Sequence, residues 1–247
     1  MIQNNLFSKL GYTVLGVIAF LWFWGFFSYA TGFLLNLYVS KSIDSGSILP
    51  IGQAFAVDSF LIILFGIQHS MMARKSFKKR LVTILPDYFE RSFYVLLSNF
   101  VLTAIFILWQ PITIPIWSTE NLILKSLLYV IFGLGSGILV YSLIIVDHFE
   151  FIGLRQIYLH LKNKPYTPIE FKMPTIYKYI RHPVYLGTLI VFWATPEMTL
   201  GHLILALGMT LYTLIAVRFE EQDLCTLYGE DYNRYMQTVG MLFPKLK

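Results

Sequence analysis

Charged residues are scarce in this chain of 247 residues. They make up 13% of the sequence, about half the share that is usual in a soluble domain, whereas hydrophobic residues make up 56%. So few charges do not cover the surface of a soluble protein of this length, and the composition therefore indicates an integral membrane protein. The net charge of +5 does not indicate nucleic-acid binding, because the basic residues lie between the aromatic-rich apolar stretches and not among the aromatics.

Cysteine is nearly absent. The single Cys225 excludes an intrachain disulfide and any zinc or iron–sulfur site built from several cysteines. The sequence also lacks a convincing set of metal ligands, so no metal site is predicted. A dinucleotide-binding loop is missing as well: Gly133, Gly135 and Gly137 fail the G-x-G-x-x-G spacing, and close helix packing explains them better.

Long apolar runs, in contrast, are abundant. A helix needs about 20 apolar residues to cross the hydrocarbon core of a bilayer. The sequence predicts four such spans, at residues 10–39, 51–68, 92–109 and 127–146. The first run is too long for the apolar core of a signal peptide, so we expect it to be retained.

The last apolar run, from Val184 to Val217, is interrupted at Thr195-Pro196-Glu197. Proline disfavours helix at the residue before it, and a glutamate at the centre of a bilayer is costly, so a turn near an interface is expected here. The run is therefore predicted to form a helical hairpin. The predicted fold is an all-α integral membrane protein with four transmembrane helices plus this C-terminal hairpin.

The distribution of basic residues predicts the orientation. If successive spans cross the membrane in opposite directions, 17 of the 19 Lys and Arg residues lie on one side of the membrane, Lys247 among them. Only Lys41 and Lys125 lie on or near the other side. Basic loops stay in the cytoplasm. Both termini and the loops 70–91 and 147–183 are therefore expected to be cytoplasmic.

Polar residues cluster at the predicted cytoplasmic ends of the spans. Because a hairpin returns its two ends to one membrane face, we expect Arg181 and His182 to lie near Glu220 and Glu221, roughly 40 residues further on. Two simpler interpretations stay open: Arg181 binds lipid headgroups, and the two glutamates form a solvated helix end that pairs with Arg218. Asp58, inside the second span, is either a functional acid or a structural hydrogen-bond acceptor.

The C-terminal half carries an ordered series of motifs: Arg181-His182-Pro183, then Tyr185 and Gly187, then an interrupted apolar stretch, Glu220-Glu221, and finally Gly229 with Tyr232 and Tyr235. This series resembles the isoprenylcysteine carboxyl methyltransferase superfamily. Within it, the stretches "DHFEFIGLRQIYLHLKNKPYTPIEF", "FWATPEMTLGHL" and "RFEEQDL" are similar to bacterial methanethiol S-methyltransferases. The resemblance covers residues 147–243 and, more loosely, the whole chain.

The resemblance implies a membrane enzyme that uses S-adenosylmethionine (SAM) without a Rossmann domain and faces the cytosol from the bacterial inner membrane. It implies one membrane domain, residues 1–247, with spans in 1–146 and a catalytic half in 147–247. The cofactor-binding residues it implies are Arg181, His182, Pro183, Tyr185, Gly187, Glu220, Glu221, Tyr232 and Tyr235. Arg181 suits the SAM carboxylate, the glutamates suit its hydroxyls or ammonium, and the Tyr185 ring suits its sulfonium.

The implied reaction converts methanethiol to dimethyl sulfide. A thiol is only a few per cent ionised at neutral pH, so a base or an electropositive pocket is expected. His148 and His182 are the candidates, and His148 is preferred because His182 belongs to the cofactor motif. Glu150 is a further catalytic candidate, and Arg155 and Gln156 are expected on the substrate side. The partners implied are the thiol and the lipid bilayer, with no metal, nucleic acid or obligatory protein partner.

Two alternatives stay open. The first keeps the enzyme class but changes the acceptor to a prenylated cysteine carboxylate or another lipophilic group. The second is a protein without enzymatic activity, either a nurim-like membrane protein or a small-molecule transporter.

Overall fold

The computed structural model describes residues 6–167 and 170–245. Both chain ends and Lys247 lie outside the described residues. In chain order the elements are α1 (Leu6–Leu35), α2 (Ile51–Ala73), α3 (Lys75–Leu81), α4 (Asp87–Leu108), β1 (Pro115–Ser118), α5 (Leu122–Ile145), α6 (His148–Ile152), α7 (Leu154–Leu161), a 3₁₀ turn (Thr175–Lys178), α8 (Pro183–Trp193), β2 (Glu197–Thr199), α9 (Leu200–Tyr228) and α10 (Glu230–Thr238).

These elements form two compact units. The first contains the described residues up to 112 together with 147–167, and the second contains 113–146 together with 170–245. Each unit therefore combines two separate stretches of the chain.

Within the described residues, five helices, α1, α2, α4, α5 and α9, are long and apolar enough to cross a membrane. Their outward faces carry large apolar side chains: Phe60, Leu134 and Leu211 are each 62% exposed. Such a surface requires lipid around it, so the chain is an integral membrane protein built almost entirely from helices. The observed helices differ from the predicted spans by several residues: α1 ends at Leu35, before the predicted boundary at residue 39, whereas α2, α4 and α5 each extend beyond the predicted span at one end. For example, α4 begins at Asp87, where an acidic residue in the first turn favours the helix start.

Helices α1, α2 and α4 form the apolar core of the first unit. Trp22 Nε1 donates to Thr103 Oγ1 at 3.0 Å and links α1 to α4. Asp58 is completely buried and accepts a hydrogen bond from the backbone N of Gln110 at 2.8 Å, at the end of α4. This contact favours the structural interpretation of Asp58.

The predicted hairpin is present in the second unit, and helix is interrupted where the sequence predicts it. However, α8 has 11 residues and is therefore only about 16 Å long, half the thickness of a bilayer core. Residues 194–199 continue from it in non-helical form, and β2 pairs antiparallel with β1, with Trp117 opposite Met198. The all-α expectation missed this small sheet. It matters because backbone N–H and C=O groups outside a helix need other partners near lipid.

Glycines bring α5 and α8 into close contact. A Cβ on Gly187 would lie 2.6 Å from the carbonyl oxygen of Gly135 and 2.7 Å from the backbone N of Leu139, so no larger residue fits without movement. Close packing therefore explains Gly135, as predicted, but not Gly133 and Gly137, where an added Cβ would meet nothing within 4 Å.

Candidate active site

The hairpin brings the predicted polar residues of the second unit together. Arg181 Nε and Nη2 donate to Glu221 Oε1 at 2.8 and 2.7 Å, and His182 Nε2 lies 3.1 Å from the same oxygen. Tyr185 donates its hydroxyl to Glu220 Oε2 at 2.7 Å. We call these five residues the hairpin cluster. In the described part of the chain their ion pairs run across the hairpin, as predicted, and none is formed with Arg218.

The local sequence explains how the hairpin cluster forms. His182 is the residue before α8, and Pro183 is its first residue, a position where the missing N–H of proline costs nothing. Tyr185 therefore lies about one turn after His182, and the two rings stack with their centroids 5.6 Å apart. The same start of α8 places both side chains against α9.

Arg181 is almost completely engaged within the protein. Its side chain is only 9% exposed, and besides Glu221 it donates through Nη1 to the carbonyl oxygens of Met236 and Val239. The backbone N of Arg181 also donates to Gly240 O at 2.9 Å. The sequence predicts that the guanidinium holds a ligand carboxylate, whereas in the structure it holds Glu221 and the C-terminal segment.

Tyr232 and Tyr235 anchor α10. Both are buried, at 2% and 5% exposure, and pack with Phe171 and Tyr228. The Tyr235 hydroxyl donates to the carbonyl oxygen of Tyr177 at 2.5 Å. Burial raises the pKa of Tyr235 to about 12 and also raises the pKa of Tyr232, with Glu221 and Glu220 adding to the latter shift. Both phenols therefore stay neutral at physiological pH.

Counted without His182, the hairpin cluster has a net negative charge. One guanidinium faces two carboxylates, and the side chain of Glu220 is 44% exposed whereas that of Glu221 is 17% exposed. Among the described residues, the contacts of Glu221 with Arg181 and His182 all use Oε1. Glu221 Oε2 and the exposed carboxylate of Glu220 are therefore the acceptors that this cluster offers to a cationic or hydroxyl-bearing ligand.

In the first unit, Glu150 is the centre of a second polar cluster. It accepts hydrogen bonds from Arg155 at 2.8 Å, Gln156 at 2.9 Å and Tyr166 at 2.6 Å. The hydrogen bond to Glu150 raises the pKa of Arg155; burial, followed by the bond to Glu150, raises the pKa of Tyr166 to about 12. We call these four residues the Glu150 clamp. Tyr166 was not predicted, since no motif marks a tyrosine in that loop.

The backbone around the Glu150 clamp is closely fitted. Gly153 has a φ of +99°, and a Cβ there would lie 2.6 Å from the backbone N of Ser92 on α4. Arg91 Nε donates to Phe151 O at 2.7 Å, which fixes α6 on the same helix. The corner between α6 and α7 is thus held by α4, and α6 carries His148 and Glu150.

His148 lies among aromatic rings. The centroid of its ring is 5.8 Å from that of Phe20 and 6.0 Å from that of Trp24, both on α1, and 4.2 Å from that of Phe149. Its Nδ1 atom is buried and has no hydrogen-bond partner within the described ranges. We call these four residues the His148 cluster. Its aromatic members were not predicted, because the many rings of α1 give no sign of which ones face α6.

A third polar group joins α2 to α4. His69 lies between the Tyr94 hydroxyl, 2.7 Å from Nε2, and Ser98 Oγ, 3.0 Å from Nδ1. The sequence marks His69 only as one of several polar residues near the end of a span. Its two ring contacts hold the helices together.

Comparison with known proteins finds similar chains of nearly the same length. The chain is 41% identical over 243 residues to methanethiol S-methyltransferase of Crocosphaera subtropica, covering 98% of this chain and 95% of that protein. It is 46% identical over 218 residues to the protein of that name from Pseudomonas sp. strain GM41, covering 88% and 84%. Nurim of Xenopus laevis is 30% identical over 193 residues, covering 73% and 66%. No protein-family model and no solved structure matches the chain.

Proposed function

Because this chain belongs to the methanethiol S-methyltransferase family, we propose that it transfers a methyl group to methanethiol and releases dimethyl sulfide. The observation that carries the proposal is the identity of 41% along nearly the full length of both chains. The similarity to nurim is lower and covers less of both proteins, so it does not favour the nurim-like alternative. The chain is a methyltransferase embedded in a membrane.

We propose SAM as the methyl donor, and the hairpin cluster fits it. SAM carries two positive groups and one carboxylate, hence one net positive charge, and the cluster carries one cation and two anions. The ring of Tyr185 next to Glu220 provides an aromatic face for a sulfonium, a contact worth about 1 to 2 kcal/mol when it is desolvated.

Each residue of the hairpin cluster has a distinct part in this proposal. Glu220, the more exposed carboxylate, accepts from the ammonium or a ribose hydroxyl. Glu221 offers Oε2 in the same way, while Arg181 and His182 hold its other oxygen. Arg181 contributes chiefly as a positioning residue, because most of its donors are already bound inside the protein.

Bound SAM supplies an electrophilic methyl group: a bond forms between its carbon and the acceptor sulfur, the bond from that carbon to the sulfonium breaks, and S-adenosylhomocysteine remains. The thiol must lose its proton, since only a thiolate attacks efficiently. We assign the proton to His148, because histidine is the side chain that most often acts as a general base in enzymes. The Glu150 clamp holds α6, the helix that carries this histidine, in place.

We further propose that the enzyme lies in the bacterial inner membrane with its SAM-binding residues at the cytosolic face. The excess of basic residues, 17 of 19 on one predicted side, supports this orientation. SAM is charged and reaches the protein from water, whereas methanethiol and dimethyl sulfide are small and apolar enough to travel through the bilayer.

Incubation of the purified protein with SAM and a panel of acceptors tests the proposal. We expect dimethyl sulfide in the headspace above methanethiol reactions, together with one S-adenosylhomocysteine per product molecule. Isoprenylcysteine serves as the competing acceptor. Preferential methylation of its carboxylate would reassign the acceptor, and absence of methylation despite measurable SAM binding would remove methanethiol as the substrate.

A further inference from the structure

We propose that the His148 cluster is the binding subsite for the acceptor thiol and that Phe20 and Trp24 set the size of thiol it admits. The proposal rests on the function proposed above and concerns the first unit only. Phe20 and Trp24 lie four residues apart on α1, so their rings share one face of that helix. They flank the imidazole of His148, and Phe149 of α6 completes the cluster.

The first observation that supports a thiol subsite is a nitrogen of His148 without a hydrogen-bond partner. Nδ1 is buried without a hydrogen-bond partner in the described part of the chain. Leaving a buried polar atom unpaired costs about 1 to 3 kcal/mol, so such an atom in a native protein calls for an explanation. A ligand with a single donor group supplies one.

The chemistry of the surroundings selects the ligand. Three of the side chains around His148 are aromatic, and such walls suit a ligand with an apolar body better than a buried water molecule, which needs two to four polar partners. A small thiol presents one weak donor, its S–H group, and an otherwise apolar body. Sulfur also makes favourable contacts with aromatic rings, about 0.3 to 1.5 kcal/mol each. Methanethiol therefore matches both the nitrogen and the aromatic walls.

The same rings favour the proton transfer. When the thiol proton moves from sulfur to Nδ1, the products are a thiolate and an imidazolium, and no other reactant is needed. The imidazolium then lies 4.2 to 6.0 Å from three ring centroids, the range in which cations interact favourably with aromatic faces. The aromatic rings of the cluster thus stabilise the charged form of His148.

The test compares two tryptophans of α1. Trp24→Ala removes a wall of the His148 cluster, whereas Trp22→Ala removes a ring that donates to Thr103 on α4 instead. We expect Trp24→Ala to raise the KM for methanethiol roughly three- to tenfold. It should also raise kcat/KM for propanethiol relative to methanethiol at least tenfold, with unchanged SAM affinity. Trp22→Ala should leave the KM and the selectivity within twofold of the wild type.

The outcomes separate the subsite from the function. Suppose that the wild-type enzyme makes dimethyl sulfide, and that the two tryptophan variants change KM and selectivity equally or not at all. The subsite proposal would then be wrong, and the methanethiol activity would stand. If the wild-type protein does not methylate methanethiol, the proposed function is wrong instead. If Trp24→Ala does not fold, Phe20→Leu replaces it, and the same shift in selectivity toward propanethiol is expected.

Discussion

At the scale of single residues, the sequence identifies the members of the hairpin cluster but not all of their contacts. The interrupted apolar run implies a hairpin, and a hairpin brings Arg181 to Glu221, as the structure confirms. The bonds from Arg181 to the carbonyl oxygens of Met236 and Val239 could not be predicted. They depend on the path of a backbone more than fifty residues away, and carbonyl groups leave no trace in side-chain patterns.

Substitutions in the hairpin cluster should distinguish a residue that binds SAM from a residue that holds the cluster in position. Glu220→Ala removes a partly exposed carboxylate, so we expect SAM affinity to fall roughly ten- to a hundredfold with no change in Tm. Arg181→Ala should lower both SAM affinity and Tm, because it leaves Glu221 with only His182 of its two partners in the cluster and releases the C-terminal segment. Calorimetric titration and thermal melting in detergent measure the two effects. Arg234→Ala, which breaks only an exposed pair with Asp231, is the control and should change neither. Unchanged SAM affinity in both test variants would remove the cofactor assignment.

Loss of the proposed base gives a second prediction at this scale. His148→Ala should lower kcat/KM for methanethiol about a hundredfold, a typical effect for a general base, with little change in SAM affinity. His160→Ala on α7, whose ring stacks on Tyr88, is the matched control and should retain activity.

At saturating SAM and subsaturating thiol, the wild-type rate should rise with pH through the neutral range. The pKa of about 12 for Tyr166 keeps its bond to Glu150 intact there, so the rise does not reflect loss of the Glu150 clamp. Full activity in His148→Ala would discard the base and leave the methyltransferase in place.

At the scale of elements, long apolar runs predict helices well, whereas short irregular segments escape prediction. A transmembrane helix is predicted from the apolar character of about twenty residues taken together, so a few unusual residues do not hide it. The sequence therefore predicts α2 and α5 within about five residues of their observed ends. The strand β2 has only three residues and β1 has four, which is too short for an alternating pattern to show. Their pairing is a long-range contact, set by where the hairpin turns and not by either strand alone.

The contact between α5 and α8 leads to a prediction about stability. Gly187→Ala should destabilise the protein by about 1 to 3 kcal/mol, because the added Cβ meets backbone atoms of α5 that cannot rotate away. Gly133→Ala is the matched control on α5. It adds the same methyl group where nothing lies within 4 Å, and alanine favours helix over glycine by up to about 1 kcal/mol. Thermal melting in one detergent should thus show a lower Tm for the first variant and an equal or higher Tm for the second. Equal behaviour of the two would mean that the helices do not pack through Gly187.

At the scale of the whole molecule, a sequence suggests domains that are continuous stretches of the chain, whereas the compact units of a fold are defined by contacts between residues. The family resemblance implies a catalytic half that begins at residue 147, and this division by function stays a prediction. However, residues 147–167 associate with the N-terminal helices, because Gly153 allows a close approach to Ser92 and Arg91 binds the carbonyl of Phe151. A steric fit of this kind is decided by tertiary distances, which composition and hydropathy do not contain.

Orientation in the membrane also belongs to this scale, and the charge bias predicts it. In a Cys225→Ser background, single cysteines can be probed with a maleimide that does not cross membranes. Ser47→Cys and Glu120→Cys, in loops with few basic residues, should react in intact cells. Lys79→Cys and Lys162→Cys, in the basic loops, should react only after permeabilisation, because moving such loops across the membrane is unfavourable. The four sites flank different spans, so each result tests a separate crossing. Labelling of Lys162→Cys in intact cells would place the loop that carries the Glu150 clamp outside, away from cytosolic SAM, and the proposed enzyme could not then work in that orientation.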